Sequence, residues 1–429
     1  MRQPSSVRRQ VRARWRDALK LIERRAASDP DRAQRPTPDV LILTPYFPPA
    51  ELAGGPARTL EAMIASASPG TVAAVLTSAY DLGQKETMDV VTDAWSRHGS
   101  IAVRYTTGGR LQQVRGIART RGMRPVTVYL NSLFHPAYSI VPTLLYRLGW
   151  WHGAQLVIAP RGELDPGALN LKSRKKALFI TLVRSAGLYR NVLWHASTTG
   201  EAENISAQFS ESRVFVRENE TLLTTSSEPV HPTERRRIVF LSRISPKKGL
   251  TILLRALTDV TVPVQLDIYG NEEDPRYSQE CHELAGRLPE NVVARFMGPL
   301  RHTDVVPTLA DYDLHPFPTY GENFGHVIAE SLSAGCPVML APVTPWTEAA
   351  RATRTAVSDL EPATWTKALQ DYLSQPADII YDLKLAAQQH YISGQAASAG
   401  AVSTLDLLSK VRNGDSPVRM FSDSTQGRS

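Results

Sequence analysis

A chain of 429 residues, 42% hydrophobic and 21% charged, has room for two domains, each burying a core of its own. No apolar run reaches the ~18 residues that a membrane-spanning helix needs, and two cysteines, Cys281 and Cys336, make no disulfide framework. The net charge of +7 is carried by residues 1–25, where nine Arg and Lys stand against Asp17 and Glu23 (9 − 2 = +7), so the rest of the chain sums to zero and nucleic acid is not an expected partner.

The first 37 residues read as a basic N-terminal extension. Val7, Val11, Trp15, Ala18, Leu19 and Ile22 recur at helical steps, so it is read either as an amphipathic helix on an anionic membrane surface or as a solvated extension. Its arginines lack the apolar core of a secretory signal. The expected location is the cytoplasm, with peripheral attachment at the inner face of the membrane under the amphipathic reading.

From residue 38 the pattern alternates. "DVLILTPYFPP" is a buried strand running into a loop, and "GGPARTLEAMIASAS" opens a helix with Leu60, Met63, Ile64 and Ala67 as its stripe. Apolar runs "TVAAVLTS", "VTVYLNS", "AQLVIAP", "NVLWHAS" and "RVFV" follow, separated by helical segments, which predicts parallel strands joined by crossover helices. "ENETLLTTSSEPVHPTERRR" is the predicted linker, and 38–225 the first domain. The alternation restarts with strands "IVFLS", "VQLDIYG", "VVARFMG", "DLHPFP" and "PVMLA", interleaved with helices, giving a second domain over 226–410. Residues 411–429 are expected to be a disordered tail. The fold class is α/β, two doubly wound Rossmann-like domains facing across a cleft, with ligands at the carboxyl ends of the strands.

Chemistry concentrates in the second domain. "VFLSRISPKKGL" ends a strand with Arg243 and places Lys247, Lys248 and Gly249 at a predicted helix start, a combination of cations and amides that suits phosphate. Gly270 at the end of "LDIYG" allows close approach of a ligand to the backbone. In "GENFGHVIAE", Glu322 lies in a loop, the amides of Asn323 to His326 precede a helix, and Glu330 follows eight residues after Glu322, close to two helical turns, so both carboxylates are expected on one side. Carboxylates accept hydrogen bonds from vicinal diols and repel phosphate, which suits a ribose and a hexose. The two aspartates of "DYD" (Asp311, Asp313) are read as a helix-to-strand junction in preference to a metal site.

Arg243 with Lys248, Gly270, the "ENFG" loop with its second glutamate and the following "GCPV" resemble the donor half of retaining glycosyltransferase family 4, of GT-B fold. The first domain extends the likeness: "PYFPPAELAGGPART" is similar to its glycine loop, and "APRGELDPGALNLKSRKKALF" with "WHASTTGEAENI" to its bacterial polysaccharide-building members. The resemblance implies a hexosyltransferase acting in cell-surface polysaccharide biosynthesis, with a nucleoside-diphosphate-sugar donor and a glycan or lipid-linked glycan acceptor, and with no cofactor or metal. It assigns Arg243 and Lys248 to the diphosphate, and Glu330 to the ribose. Glu322 and the amides of Asn323, Phe324 and Gly325 go to the sugar, and the Gly54–Gly55 loop closes over the phosphates.

One departure stands out. Many members carry a histidine where this chain has Asn131, and His135 lies four residues on; Asn131 hydrogen-bonds a hydroxyl but is no base. A retaining reaction, in which the leaving phosphate takes the proton, needs none. Other assignments stay two-sided: His135 as sugar contact or loop residue; Arg161 and Glu163 as sugar or acceptor contacts or an internal salt bridge. Lys172, Arg174, Lys175 and Lys176 are an acceptor patch or a solvated face, and His195 lines the cleft or packs in the core. A dehydrogenase would want G-x-G-x-x-G where the chain has "AGGPAR". A non-catalytic nucleotide-sugar sensor or scaffold keeps all donor contacts and lacks turnover.

Overall fold

The structure, a computed structural model, describes residues 35–165, 168–169, 173–210, 212–223, 228–398 and 401–411. The amphipathic pattern of residues 1–25, Lys172 and the tail from 412 therefore lie outside the described residues, as does the side chain of Arg174. The chain divides into two compact units: residues 1–164, 172–221 and 402–429, and residues 165–171 with 222–401.

Unit 1 is built on an eight-stranded sheet. In chain order its elements are β1 (Val40–Leu43), α1 (Gly55–Ala65), β2 (Ala73–Ser78), β3 (Trp95–His98), β4 (Ile101–Thr106), α2 (Arg110–Ala118), β5 (Thr127–Leu130), α3 (Val141–Arg147), β6 (Gln155–Ile158), α4 (Ser173–Ser185), β7 (Leu193–Ala196), α5 (Thr199–Gln208) and β8 (Arg213–Val216). The sheet order is β3-β4-β2-β1-β5-β6-β7-β8, parallel except for edge strand β3. The central strands VLIL, TVYL and QLVI are buried at every position, which is why they read as unbroken apolar runs and not as alternation.

The β3–β4 hairpin is absent from the sequence reading. Its two-residue turn has Gly99 at positive φ, and register pairs His98 with Ile101, a Gly-first hairpin pattern. What hides it is polarity: β4 carries Arg104, buried at 1% exposure.

Unit 2 contains β9 (Arg236–Leu241), a 3₁₀ turn at Pro246–Lys248, α6 (Leu250–Ala256), β10 (Val264–Tyr269), α7 (Pro275–Ala285), β11 (Val292–Gly298), α8 (His302–Ala310), β12 (His315–Pro316), α9 (His326–Ser333), β13 (Val338–Met339), α10 (Thr347–Ala352), α11 (Pro362–Leu373) and α12 (Ala377–Ser398). Strands β11-β10-β9 form one parallel sheet, and β12 pairs with β13; the Ile238–Leu314 bridge continues β9 into β12. The expected elements are all present, with Asp274 capping α7 through the amides of Arg276 and Tyr277 and so setting its start at Pro275.

The expected second domain ran to residue 410, whereas the chain joins unit 1 at 402. There α13 (Thr404–Leu408) adds Leu405, Leu408 and Val411 to the core that holds Val40 and Ile42. The Asp406 carboxylate accepts from the Ser68 amide at 3.0 Å, from Ser68 Oγ at 2.6 Å and from Thr71 Oγ1 at 2.5 Å, and Thr127 Oγ1 donates to the Leu408 carbonyl at 2.6 Å. Burial alone would raise the Asp406 carboxyl, but these donors hold it below the ordinary value. The segment docks where β2 and β5 begin, leaving the carboxyl ends of the strands to the candidate residues.

Candidate functional site

In unit 2, two close backbone approaches shape the loops beyond β9 and β10. Gly249, at φ 71°, follows the 3₁₀ turn, and a Cβ there would lie 2.1 Å from the Pro318 carbonyl oxygen. Gly270, at φ 144°, would place a Cβ 1.8 Å from the Ser242 oxygen. Each position thus admits only glycine. The packing they permit also corrects the expected helix start: Lys247 and Lys248 sit on the 3₁₀ turn, and α6 begins after Gly249.

That turn delivers Lys248 to the loop before α9. Its ammonium donates to Glu322 Oε1 at 2.5 Å, with both side chains nearly buried, and lies 5.4 Å from the centre of the Phe317 ring. Thr319 Oγ1 donates to the same Glu322 oxygen at 2.8 Å, and the Tyr320 amide donates to the Lys247 carbonyl at 2.9 Å, fastening the loop to the turn. Burial pushes the Lys248 ammonium below its ordinary pKa; Glu322 opposes this, while Arg243 and Lys247 add to it. An ammonium has three N–H donors, and Glu322 takes one.

Gly325, at φ 83°, ends the loop as the residue before α9. The Trp346 indole N–H donates to the Phe324 carbonyl at 2.5 Å, and their rings meet edge to face at 5.5 Å, so Trp346 pins "ENFG". Glu330 lies inside α9, 2% exposed, with one oxygen 3.6 Å from His302 Nδ1 at the start of α8. Arg243 is on the surface, holding Glu273 at 2.9 and 3.0 Å. The structure therefore brings Lys248 to Glu322, gives Arg243 and Glu330 other partners, and adds Thr319 and His302, which the sequence reading did not single out. The spacing from Thr319 to Glu322 resembles a turn-capping pattern and was the available signal. Asp313 accepts from the Arg237 amide at 2.8 Å and is buried. Among the described residues no three His, Cys, Asp or Glu side chains cluster as a metal site.

In unit 1 the candidate residues form a closed hydrogen-bond chain. Arg161, at φ 55°, donates from Nε to Asn131 Oδ1 at 2.8 Å, from Nη2 to the Tyr129 hydroxyl at 2.7 Å and from Nη1 to Asn219 Oδ1 at 2.5 Å. Asn131 Nδ2 donates onward to the Pro56 carbonyl at 3.1 Å, tying β5 to the start of α1 just past Gly54 and Gly55. The Tyr129 hydroxyl lies 2.8 Å from His195 Nδ1, and His195 Nε2 lies 3.0 Å from the Arg217 carbonyl. A carbonyl only accepts, so Nε2 carries the hydrogen and Nδ1 accepts from Tyr129. Burial, reinforced by Arg161, lowers the His195 pKa well below the ordinary value. Of its two readings the core one holds: His195 is 2% exposed.

Glu163 does not pair with Arg161. Its oxygens accept from Ser132 Oγ at 2.8 Å and from the Leu133 and Phe134 amides at 2.7 and 2.9 Å. Burial raises its pKa against these donors. Lys176 lies 5.2 Å from the centre of the Phe134 ring. His135 caps the Pro136–Ile140 turn through Nδ1, accepting from the Tyr138 amide at 3.2 Å, and burial together with Arg110 lowers its pKa to about 4. A residue unnoticed in the sequence, Glu201, accepts from the Gly162 amide at 2.7 Å and from the Ser197 amide and hydroxyl at 2.8 Å.

The family model for glycosyl transferases group 1 matches residues 235–375, a third of the chain and most of unit 2. D-inositol 3-phosphate glycosyltransferases of Mycobacterium bovis and Mycobacterium tuberculosis are 31% identical over 146 residues, covering 33% of this chain and 30% of theirs. The chain thus aligns with less than a third of those relatives' length. Among solved structures, Anabaena Alr3699/HepE in complex with UDP and glucose superposes with a TM-score of 0.59 at 17% identity, over 90% of this chain and 98% of that one. Sucrose-phosphate synthase from Thermosynechococcus elongatus gives 0.60 at 14% identity with the same coverage. The fold is GT-B, two Rossmann-like α/β units. No helix among the described residues is long and apolar enough to cross a membrane.

Proposed function

We propose that this chain is a retaining, metal-independent glycosyltransferase, similar to family 4, that moves a sugar from a nucleoside-diphosphate-sugar to a hydroxyl of a glycan or lipid-linked glycan in cell-surface polysaccharide biosynthesis. The observation that carries the reading is the nearly buried Lys248–Glu322 pair, 2.5 Å long, within the segment matched to the group 1 glycosyl transferases. A cation and a carboxylate held together at loops beyond two parallel strands fit a ligand with a charged phosphate end and a hydroxylated end.

In this reading the C1–O bond of the donor breaks with its electrons passing to the diphosphate, and the acceptor oxygen bonds to C1. The acceptor's proton goes to the departing phosphate. Lys248, with Arg243 released from Glu273, stabilises the charge growing on that phosphate. Glu322 and the amides at 323–325 orient the sugar, and Glu330 accepts from the ribose diol. Since the leaving group accepts the proton, Asn131 need not act as a base, and its bonds to Arg161 and Pro56 suit it to fixing the α1 start.

The test is nucleotide release from UDP-, GDP- and ADP-sugars, beginning with UDP-glucose, with and without chelator, comparing wild type with Lys248→Met and Glu322→Gln. One donor turned over by wild type and slowed about 10²–10³-fold by each variant supports the proposal. Binding of a donor without turnover, even with glycan acceptors added, would favour a sensor or scaffold, and binding of none would remove the site assignment.

A further inference from the structure

The zero net charge of residues 26–429 conceals a strong segregation. Residues 110–200 contain thirteen Arg and Lys against Glu163 and Asp165, 13 − 2 = +11, and Glu163 is turned inward onto backbone amides. Within this stretch lie α2, α3 and α4, and none of the three contains an acidic residue.

These helices connect β4 to β5, β5 to β6 and β6 to β7, steps that advance in one direction through the sheet. Right-handed crossovers therefore place all three on one face, opposite α1 and α13. Contacts bear this out: α2 packs against the Pro136–Ile140 turn that leads into α3, Arg147 at the end of α3 donates to the Leu188 carbonyl beyond α4 at 2.8 Å, and Phe134 meets Phe179 of α4 at 5.6 Å.

On this face leucines point to solvent. Leu111 is 61% exposed, Leu148 53%, Leu178 61% and Leu182 59%, with Leu144 at 37%. Leu144 with Leu148, and Leu178 with Leu182, are one helical turn apart, so each pair projects from a single side of its helix. Arg110, Arg115, Lys175 and Arg184 are exposed beside them. Leucines among cations with no acid on the helices match the two components of an anionic bilayer, whose headgroups attract the charges and whose acyl boundary takes the apolar side chains. Nucleic acid would use the charges but leaves the leucines in water.

We propose that the α2–α3–α4 face of unit 1 docks on an anionic lipid surface, with Leu178 and Leu182 inserting and Arg115, Lys175 and Arg184 meeting headgroups. This attachment is separate from the donor site and does not depend on the transfer reaction.

The experiment is co-sedimentation of the full chain with phosphatidylcholine vesicles, with and without phosphatidylglycerol, at two salt concentrations. Wild type is expected to bind only the anionic vesicles, and less at high salt. Leu178→Glu/Leu182→Glu should lower partitioning at least tenfold, and Arg115→Gln/Arg184→Gln about fivefold per charge, with melting temperature and nucleotide release unchanged. If the Glu pair fails to fold, Leu178→Ser/Leu182→Ser supplies the reading. Partitioning equal to wild type in both the leucine and the charge variants overturns the proposal, as does equal binding to pure phosphatidylcholine. So does single-stranded RNA binding that falls in the charge variant while vesicle binding does not. Nucleotide release is scored separately, so loss of this proposal leaves the enzymatic one standing.

Discussion

The carboxyl ends of the unit 1 strands and the loops of unit 2 are both rich in polar side chains, yet they spend them differently. In unit 1, Arg161, Asn131, Tyr129 and His195 satisfy one another and end on the carbonyls of Pro56 and Arg217. In unit 2, Lys248 and Glu322 share one short contact beside two glycines whose close packing leaves no room for a side chain. A polar network bonded from side chain to side chain and onto backbone carbonyls rigidifies the chain. In the proposed reading, the nearly buried ion pair at the loop keeps hydrogen-bond sites for a ligand to take over. The same residue types thus serve architecture in one unit and, in the proposed reading, recognition in the other.

Breaking each arrangement should separate the two in turnover. Glu322→Gln keeps the shape and one acceptor but removes the counter-charge of a nearly buried ammonium, so turnover should fall by two orders of magnitude or more and the urea midpoint should fall as well. Glu201→Ala leaves the Gly162 and Ser197 amides without their buried acceptor, and should cost about 3 kcal/mol of stability. Its turnover, measured below the melting transition, should stay within a few fold of wild type. Equal effects of both variants on turnover would erase the distinction.

A second test uses pH. His135 is held at about 4 and His315 at about 3, each by burial first, and His195 well below its ordinary value. The unfolded chain binds these protons near pH 6.5 and the folded chain does not, so stability rises with pH across that interval. Their contribution is fully present above 6.5 and is lost as pH falls toward 4. His135 and His315 each account for no more than about 3–5 kcal/mol at the acid end. His315→Phe, which keeps a ring tilted against Phe317, should flatten the slope of denaturant stability between pH 6.5 and 4. An unchanged slope would mean that His315 is protonated in the folded state.

Much of this organisation is legible in the residues. The apolar runs of β1, β5 and β6 needed no partner to be recognised, and Lys248 with Glu322 emerged from a cation cluster and a glycine-flanked loop. What sequence could not supply were pairings made across long separations. Arg161 meets Asn131, Tyr129 and Asn219 across thirty to fifty-eight residues of sequence. Glu201 looks like an ordinary helix-start acid until Gly162 is folded onto it. Strand β4 was hidden by a buried arginine, and α13 by its return to unit 1 after the whole of unit 2. Summing charge over the chain concealed the basic face, because opposite charges elsewhere cancelled it.

The smallest expected effect sharpens the comparison most. Arg243 and Glu273 are both about half exposed, so their pair contributes little to stability, and Glu273→Gln should shift it by less than about 0.5 kcal/mol. If Arg243 has to leave Glu273 to reach the donor diphosphate, removing that carboxylate's charge takes away a competitor for the guanidinium. The KM for the nucleotide-sugar should then fall by about two- to fivefold while kcat stays nearly constant. The effect should shrink at high salt, where the surface pair is already screened. A raised KM would show instead that Glu273 orients Arg243 for the phosphate, making the pair part of a prepared site like Lys248–Glu322. An unchanged KM at every salt concentration would detach Arg243 from donor binding and leave Lys248 as the principal phosphate cation.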